Sequence, residues 1–564
     1  MKCIAPCKYR HVLSDAIHVA HCTYRASSCV FAQAPRVKLT ARSSSPFTPS
    51  RVVPQETTMS RDYIERILRA RVYDVAIESA LQAAPRLSAR TGNTILLKRE
   101  DEQQIFSFKL RGAYNKIYHL DAEQKAAGVV AASAGNHAQG VALAGRQLGV
   151  RSTIVMPVTT PAIKVETVRR LGGKAVLQGD SYDDAYAYAM KLSEEKGLTF
   201  IHPFDDPEVI AGQGTIGMEL LRQHADPIDA IFVPVGGGGL IAGIAAYVKH
   251  IRPEIKVIGV EPEDSPTLER AMAKRRRVVL PRVGLFADGV AVRQIGKETF
   301  RIARKLVDEV ILVSTDETCA AIKDVFDETR SVSEPAGALA IAGIKKYVAR
   351  EQVSDQTLIG ILSGANINFD RLRHVAERAE VGEQREALFA VQIPEKPGSF
   401  LACCRALGKR SITEFNYRYS DQQNAQVFCG VELRNGNVER AELVEHLAGK
   451  GFEVVDLTDN ETAKLHIRYM VGGHAPQALN EKLFRFEFPE RPGALLDFLK
   501  GLTRGWNISL FHYRNHGSAY GRVLVGVQLK RKAAQEFRSY MEAAGYIYSE
   551  ETDNPAYQLF AKGG

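Results

Sequence analysis

Along residues 60–370, short apolar runs alternate with longer stretches of mixed polarity. The runs read TILLK (94–98), GVVAAS (128–133), STIVMP (152–157), AVL (175–177), AIFVPV (230–235), KVIGVE (256–261), EVILVS (309–314) and LIGILS (358–363). Their length and β-branched content predict buried strands, and most of the segments between them, such as AIKVETVRRLG and DAYAYAMKLSEEKG, have helical spacing. This alternation predicts a three-layer α/β domain around a mostly parallel sheet. In such sheets ligands bind at the carboxyl ends of strands, where loops and helix N-termini converge.

Beyond residue 385 the pattern repeats itself. FAVQIPEKPGSFLACCRAL (389–407) is answered by FRFEFPERPGALLDFLKGL (484–502), which places Pro397 and Gly398 opposite Pro492 and Gly493 at an offset of 95. One residue later in register, SITEFNYRYS is answered by NISLFHYRNH, pairing Tyr417 with Tyr513 and Arg418 with Arg514, and AQVFCGVEL by GRVLVGVQL. Each copy reads strand, Pro-Gly turn, helix, strand, strand, helix. The pair therefore predicts a duplicated small α+β module.

Composition narrows the class. A chain of 564 residues is too long for one core, and 45% hydrophobic with 25% charged residues is ordinary for a water-soluble globular protein. No apolar run approaches the ~20 residues of a membrane helix, so no membrane role is expected. The net charge is +9, but residues 1–59 hold eight Lys/Arg against Asp15 and Glu56, leaving the remainder near neutral. The body has no basic stripe with interleaved aromatics, which argues against nucleic acid, and KRRR (274–277) reads as a solvated helix end. Cys3, Cys7, Cys22 and Cys29 crowd the first thirty residues while Cys319, Cys403, Cys404 and Cys429 are scattered, with neither zinc-ligand spacing nor a disulfide framework. Residues 1–58 have the Ser/Arg-rich, acid-poor composition of a transit segment, but translation starting at Met59 is the favoured reading, because no periodic pattern precedes it. A cytoplasmic location is expected on that reading, and an organelle on the other.

Three motifs carry chemistry. PVGGGGLIAGIAAYVK (234–249) follows an apolar strand and opens a small-residue helix. Four glycines let backbone N–H groups converge on one phosphate at a helix N-terminus, and the motif lacks both P-loop and dinucleotide spacing. SAGNHAQG (133–140) and LSGAN (362–366) put small polar residues at two further strand ends. The fourth feature is Lys109, set within the apolar IFSFKLRGA (105–113). A buried lysine beside a phosphate cup makes sense if a cofactor brings both a phosphate and an aldehyde that can form an imine, namely pyridoxal 5′-phosphate, and desolvation would lower the lysine pKa for that purpose.

SFKLRGA, SAGNHAQG, GGGGLIAG and LSGAN resemble the fold-type II, tryptophan-synthase β-like pyridoxal-phosphate enzymes. From about residue 60 onward, GLFADGVAV, SEPAGALA, EFNYRY and LFHYR resemble the biosynthetic L-threonine ammonia-lyases, whose regulatory ACT-like pair is similar to the duplicated module. The resemblance implies a catalytic domain over 59–380 with mostly parallel sheets and two ACT-like modules over 387–461 and 482–554. It implies deamination of L-threonine, and of L-serine, with isoleucine as inhibitor and valine as its antagonist or activator, in a homotetramer. It implies that Lys109 carries the cofactor and takes the α-proton. Asn136 meets the ring hydroxyl, Gly236, Gly237, Gly238, Gly239 and Leu240 hold the phosphate, and Ser363 meets the ring nitrogen. Ser133, Ala134, Gly135 and His137 hold the substrate carboxylate. His137 has a competing reading as general acid, and Glu334 could either approach the cofactor or serve as a first-turn helix acid. Tyr417 and Tyr513 are the candidates for effector contact, against a reading as packing residues. A catabolic-type dehydratase and a non-catalytic amino-acid sensor on the same fold are the alternatives.

Overall fold

The computed structural model describes residues 56–558 apart from 285, 370, 420–422, 466, 470–474, 476–477, 490–493, 503–505, 515–519, 544–546 and 555–556. The segment 1–55, and Pro492 and Gly493 of the second copy, lie outside the described residues. The first described helix, Glu56–Arg69, starts three residues ahead of Met59. Among the described residues no helix is long and apolar enough to cross a membrane.

Among the described residues, ten strands build the first part of the chain: β1 (Leu81–Ala83), β2 (Thr94–Arg99), β3 (Val129–Ala132), β4 (Ser152–Met156), β5 (Lys174–Leu177), β6 (Thr199–Phe200), β7 (Ala230–Pro234), β8 (Lys256–Pro262), β9 (Glu309–Val313) and β10 (Thr357–Leu362). All eight apolar runs are strands. The single sheet expected from their alternation is instead two sheets. One has the order β1-β2-β10-β7-β8-β9, parallel except for the edge strand β1; the other is β5-β4-β3-β6, wholly parallel. Alternation along a chain signals parallel pairing but not which strands pair, and β3 to β6 pair among themselves.

The central strands β3, β7 and β10 are buried along almost their whole length, as expected where helices cover both faces. Local signals place the helices between them. Ser181 with Asp184 and Ser314 with Glu317 form capping boxes, and Asp206 caps a helix with Pro207 at its first position.

The described residues of the C-terminal part hold eight strands: β11 (Glu386–Pro394), β12 (Ile412–Arg418), β13 (Asn424–Glu432), β14 (Glu453–Asp456), β15 (Glu481–Pro489), β16 (Asn507–Arg514), β17 (Tyr520–Gln528) and β18 (Ile547–Glu550). They form one antiparallel sheet ordered β14-β11-β13-β12-β16-β17-β15-β18. The order is a palindrome of the two copies, joined where β12 pairs with β16. The repeat extends to irregularities, with register shifts between Ile412 and Glu414 and between Ile508 and Leu510. The helix Arg371–Gly382 links this sheet to the first part of the chain.

Candidate active site

The carboxyl ends of β3, β6, β7 and β10 converge on one cavity of ≈ 1020 Å³. Lys109, Ser133, Ala134, Gly135, Asn136, His137, Gly236, Gly237, Gly238, Gly239, Leu240 and Ser363 all line it. Tyr417 and Tyr513 do not; they lie in the core of the C-terminal sheet.

Lys109 is the first residue of the helix Lys109–Tyr118. The loop before it is stitched to the loop after β10: Phe108 N–H donates to the Ser363 carbonyl at 3.3 Å, Ala365 N–H to the Phe106 carbonyl at 2.9 Å, and Ser107 bridges Gly364. Phe106 takes a left-handed backbone (φ 54°) to make that crossing. Lys109 and Ser363 are thus placed by one another's loops although 254 residues separate them in the sequence numbering. Lys109 Nζ donates to the Pro203 carbonyl at 3.4 Å and sits 5.2 Å from the centre of the Phe108 ring. Burial pushes its pKa down to about 8, with Glu334 opposing the shift.

The glycine cup lies between β7 and the helix Gly239–Ile251. Gly238 has φ +88°, and a β-carbon on Gly237 would fall 2.1 Å from the Phe204 ring. On Gly236 a β-carbon would stand 2.9 Å from the Val290 Cα. The backbone here leaves no room for side chains, and the N-terminal residues of the helix, Gly239 and Leu240, line the cavity, which fits a phosphate.

Asn136 donates to Glu334 Oε1 at 2.6 Å and accepts from the Asn366 amide at 2.7 Å. Burial raises the Glu334 pKa to about 7, aided by Asp288 and opposed by Asn136. Although Glu334 stands at the N-cap of the helix Pro335–Glu351, its side chain makes no capping bond; it faces Asn136. Of the two readings of this glutamate, its geometry favours the one on the cavity. His137 is buried and its Nε2 lies 2.8 Å from the Ile201 carbonyl. A carbonyl can only accept, so Nε2 carries the proton. Burial, with Lys109 nearby, lowers the His137 pKa to about 3, so the ring is neutral with its N–H committed to backbone. That supports orientation of the loop over general-acid work. The Ser363 hydroxyl has only a long 3.4 Å contact, to the Ala336 carbonyl.

Several residues of the site escaped the reading of the sequence. Asn366 sits in a quoted motif without an assigned role. The segment Ile201–Asp206 receives His137 and Lys109 on its carbonyls, packs Phe204 under the cup, and caps two helices through Asp205 and Asp206. Its proline and paired aspartates were the only local signal. Arg111, wholly buried against Glu100 and Glu219, was hidden inside the lysine motif.

In the C-terminal sheet, Tyr417 O–H donates to Glu395 at 2.5 Å, and Asn507 of the second copy reaches the same carboxylate at 3.4 Å. Tyr417 packs edge-on against Phe400 at 4.7 Å, and Tyr513 faces Phe415 across the β12–β16 seam.

A poised lysine, a cradle for one phosphate and a neutral hydroxyl are used together by an aldehyde cofactor bearing a single phosphate. The class is that of the pyridoxal 5′-phosphate-dependent enzymes, and the residues present fit that group. Residues 74–364 match the family model described as pyridoxal-phosphate dependent enzyme, and residues 377–467 and 472–561 each match the C-terminal regulatory domain of threonine dehydratase. The biosynthetic L-threonine dehydratase of Burkholderia multivorans is 58% identical over 504 residues, covering 89% of this chain and 99% of that protein. The mitochondrial threonine dehydratase of Saccharomyces cerevisiae is 50% identical, covering 90% of each. The structure of the processed form of threonine deaminase isoform 2 from Solanum lycopersicum superposes with a TM-score of 0.57 at 50% identity, over 58% of this chain and 89% of that one. The chain belongs to the biosynthetic L-threonine dehydratase family.

Proposed function

We propose that this protein is a carbon–nitrogen lyase that converts L-threonine to 2-oxobutanoate and ammonia, the first step of isoleucine biosynthesis, under feedback control by isoleucine. The observation that carries the reading is Lys109, held with a lowered pKa on a cavity wall that also presents the glycine cup and Ser363.

Pyridoxal 5′-phosphate, when bound, supplies the electron sink that makes the substrate's α-proton removable. Lys109 Nζ, whose pKa burial lowers to about 8, accepts that proton in its neutral form. The N–H groups of Gly236–Leu240 would hold the phosphate, and Asn136, fixed between Glu334 and Asn366, would orient the ring hydroxyl. Ser363 would offer the ring nitrogen a neutral partner, which would favour elimination over transamination. The loop Ser133–His137, anchored by the His137 bond to Ile201, takes the substrate carboxylate. Loss of the β-hydroxyl as water, followed by hydrolysis of the released enamine, balances the conversion. L-Serine, one carbon shorter, fits the same chemistry.

The C-terminal pair is the regulatory half. Isoleucine inhibits and valine opposes it at the seam between the copies, with Tyr417 and Tyr513 as contacts; each ligand must favour a different arrangement of the sheet. Catalytic domain 59–380, modules 387–461 and 482–554, a homotetramer and a cytoplasmic site of action complete the proposal. Release of 2-oxobutanoate from L-threonine, with and without isoleucine, tests it. Activity suppressed by isoleucine supports both halves. Absence of activity in protein that shows the imine colour overturns the substrate assignment.

A further inference from the structure

We propose that Arg111 is a positioning residue for this reaction, fixing the helix that carries Lys109 through a buried ionic cluster with Glu100, Glu219 and Lys98. Arg111 lies two residues beyond Lys109 in the first turn of the same helix and is fully buried. Its Nε and Nη2 donate to the two oxygens of Glu100 at 2.8 and 2.7 Å, and its Nη1 and Nη2 donate to the two oxygens of Glu219 at 2.5 and 3.1 Å. Thr215 and the Ile77 carbonyl, both at 3.1 Å, complete the fork. Lys98 of β2 binds Glu219 at 2.6 Å, while Ser79 and Tyr73 donate to Glu100 and Glu219 at 2.6 and 2.8 Å. Two cations and two carboxylates therefore neutralise one another.

As stabilisation this is a poor arrangement. Four buried charges are commonly no better than well-packed apolar side chains, and a cation in the first turn opposes the helix dipole. What the cluster does provide is direction. A planar fork held on two sides resists both rotation and sliding of the helix. One carboxylate comes from the residue following β2, the other from the helix Pro207–Gln223. Close backbone contacts hold the same helix laterally: a β-carbon on Gly212 would lie 2.7 Å from the Gly112 Cα, and one on Gly140 would lie 3.0 Å from the Lys109 carbonyl oxygen. Arg111 supplies the remaining restraint, along and around the helix axis, and so sets where Lys109 Nζ ends.

The inference rests on the proposed threonine deamination, and its test separates the two. In the full-length, cofactor-loaded protein, Arg111→Lys retains the charge but loses the fork. It is expected to keep its melting temperature within a few degrees and its cofactor content, to show a weakened or displaced imine absorbance, and to lose about 10–100-fold in kcat with KM within about 3-fold. A kcat within about 2-fold of wild type together with an unchanged imine band overturns the inference. If Arg111→Lys does not fold, the charge-balanced pair Arg111→Met with Glu100→Gln is read in the same way: cofactor-loaded protein with collapsed kcat supports positioning, and retained kcat overturns it. Wild-type protein inactive on threonine would overturn the functional proposal alone, with the imine band of Arg111→Lys still deciding this one.

Discussion

The two halves of this chain handle polarity in opposite ways. In the first half, parallel strands buried on both faces leave the proposed working groups to the loops and helix starts beyond the strand ends, which meet in one cavity. In the second half, an antiparallel sheet keeps one continuous aromatic core, and its two candidate ligand contacts, Tyr417 and Tyr513, are 3% and 2% exposed. Chemistry needs open loops on a rigid frame. Regulation, on our proposal, needs a seam that can repack.

Four substitutions sharpen this contrast. Lys109→Ala should abolish threonine turnover, by more than about 10³-fold, while leaving the fold and the C-terminal sheet intact; steady-state rates and circular dichroism check it. Gly237→Ala forces a β-carbon onto the Phe204 ring and should cost about 1–3 kcal/mol, seen in an equilibrium titration as weakened cofactor binding. Both act at the cavity.

In the other half the largest effect should be on stability. Phe511 meets Phe415 at 5.6 Å and Phe400 at 6.2 Å across the seam, so Phe511→Ala should destabilise the C-terminal sheet by about 3–5 kcal/mol in denaturant unfolding. Such a loss confined to the catalytic half would break the contrast.

The fourth effect is a pH dependence. Burial holds Glu334 at about 7 in the folded protein against an ordinary value of 4.5. Between those values the folded state binds the extra proton, so the contribution of Glu334 to stability is fully present below pH 4.5 and is lost as pH rises to 7. Glu334→Gln should flatten that stretch of the stability curve of the cofactor-free protein by up to about 1.4 kcal/mol per pH unit. An unchanged slope would mean that the carboxyl is not desolvated.

The same contrast explains what could be read in advance. The proposed catalytic and cofactor-holding groups sit in short local motifs, so Lys109, the glycine cup, Asn136 and Ser363 were visible as residue patterns. Strand order was not, because the pairing of β3 with β6 and of β10 with β2 joins residues far apart in sequence. The roles of Arg111 and of Ile201–Asp206 were equally hidden: an arginine reads as a surface residue until Glu100 and Glu219 are seen around it. In the C-terminal half the duplication was plain in the sequence. Its consequence, a single sheet with the two copies back to back at β12 and β16, depended on pairing between copies.

The central claim is that Lys109 is the residue to which the cofactor is joined. Reduction of the loaded protein with borohydride, followed by mass spectrometry of its peptides, tests it most directly. The account predicts a phosphopyridoxyl increment on the peptide containing Lys109 and on no other lysine, Lys98 included. A label on another residue, or none in protein that turns over threonine, would contradict it.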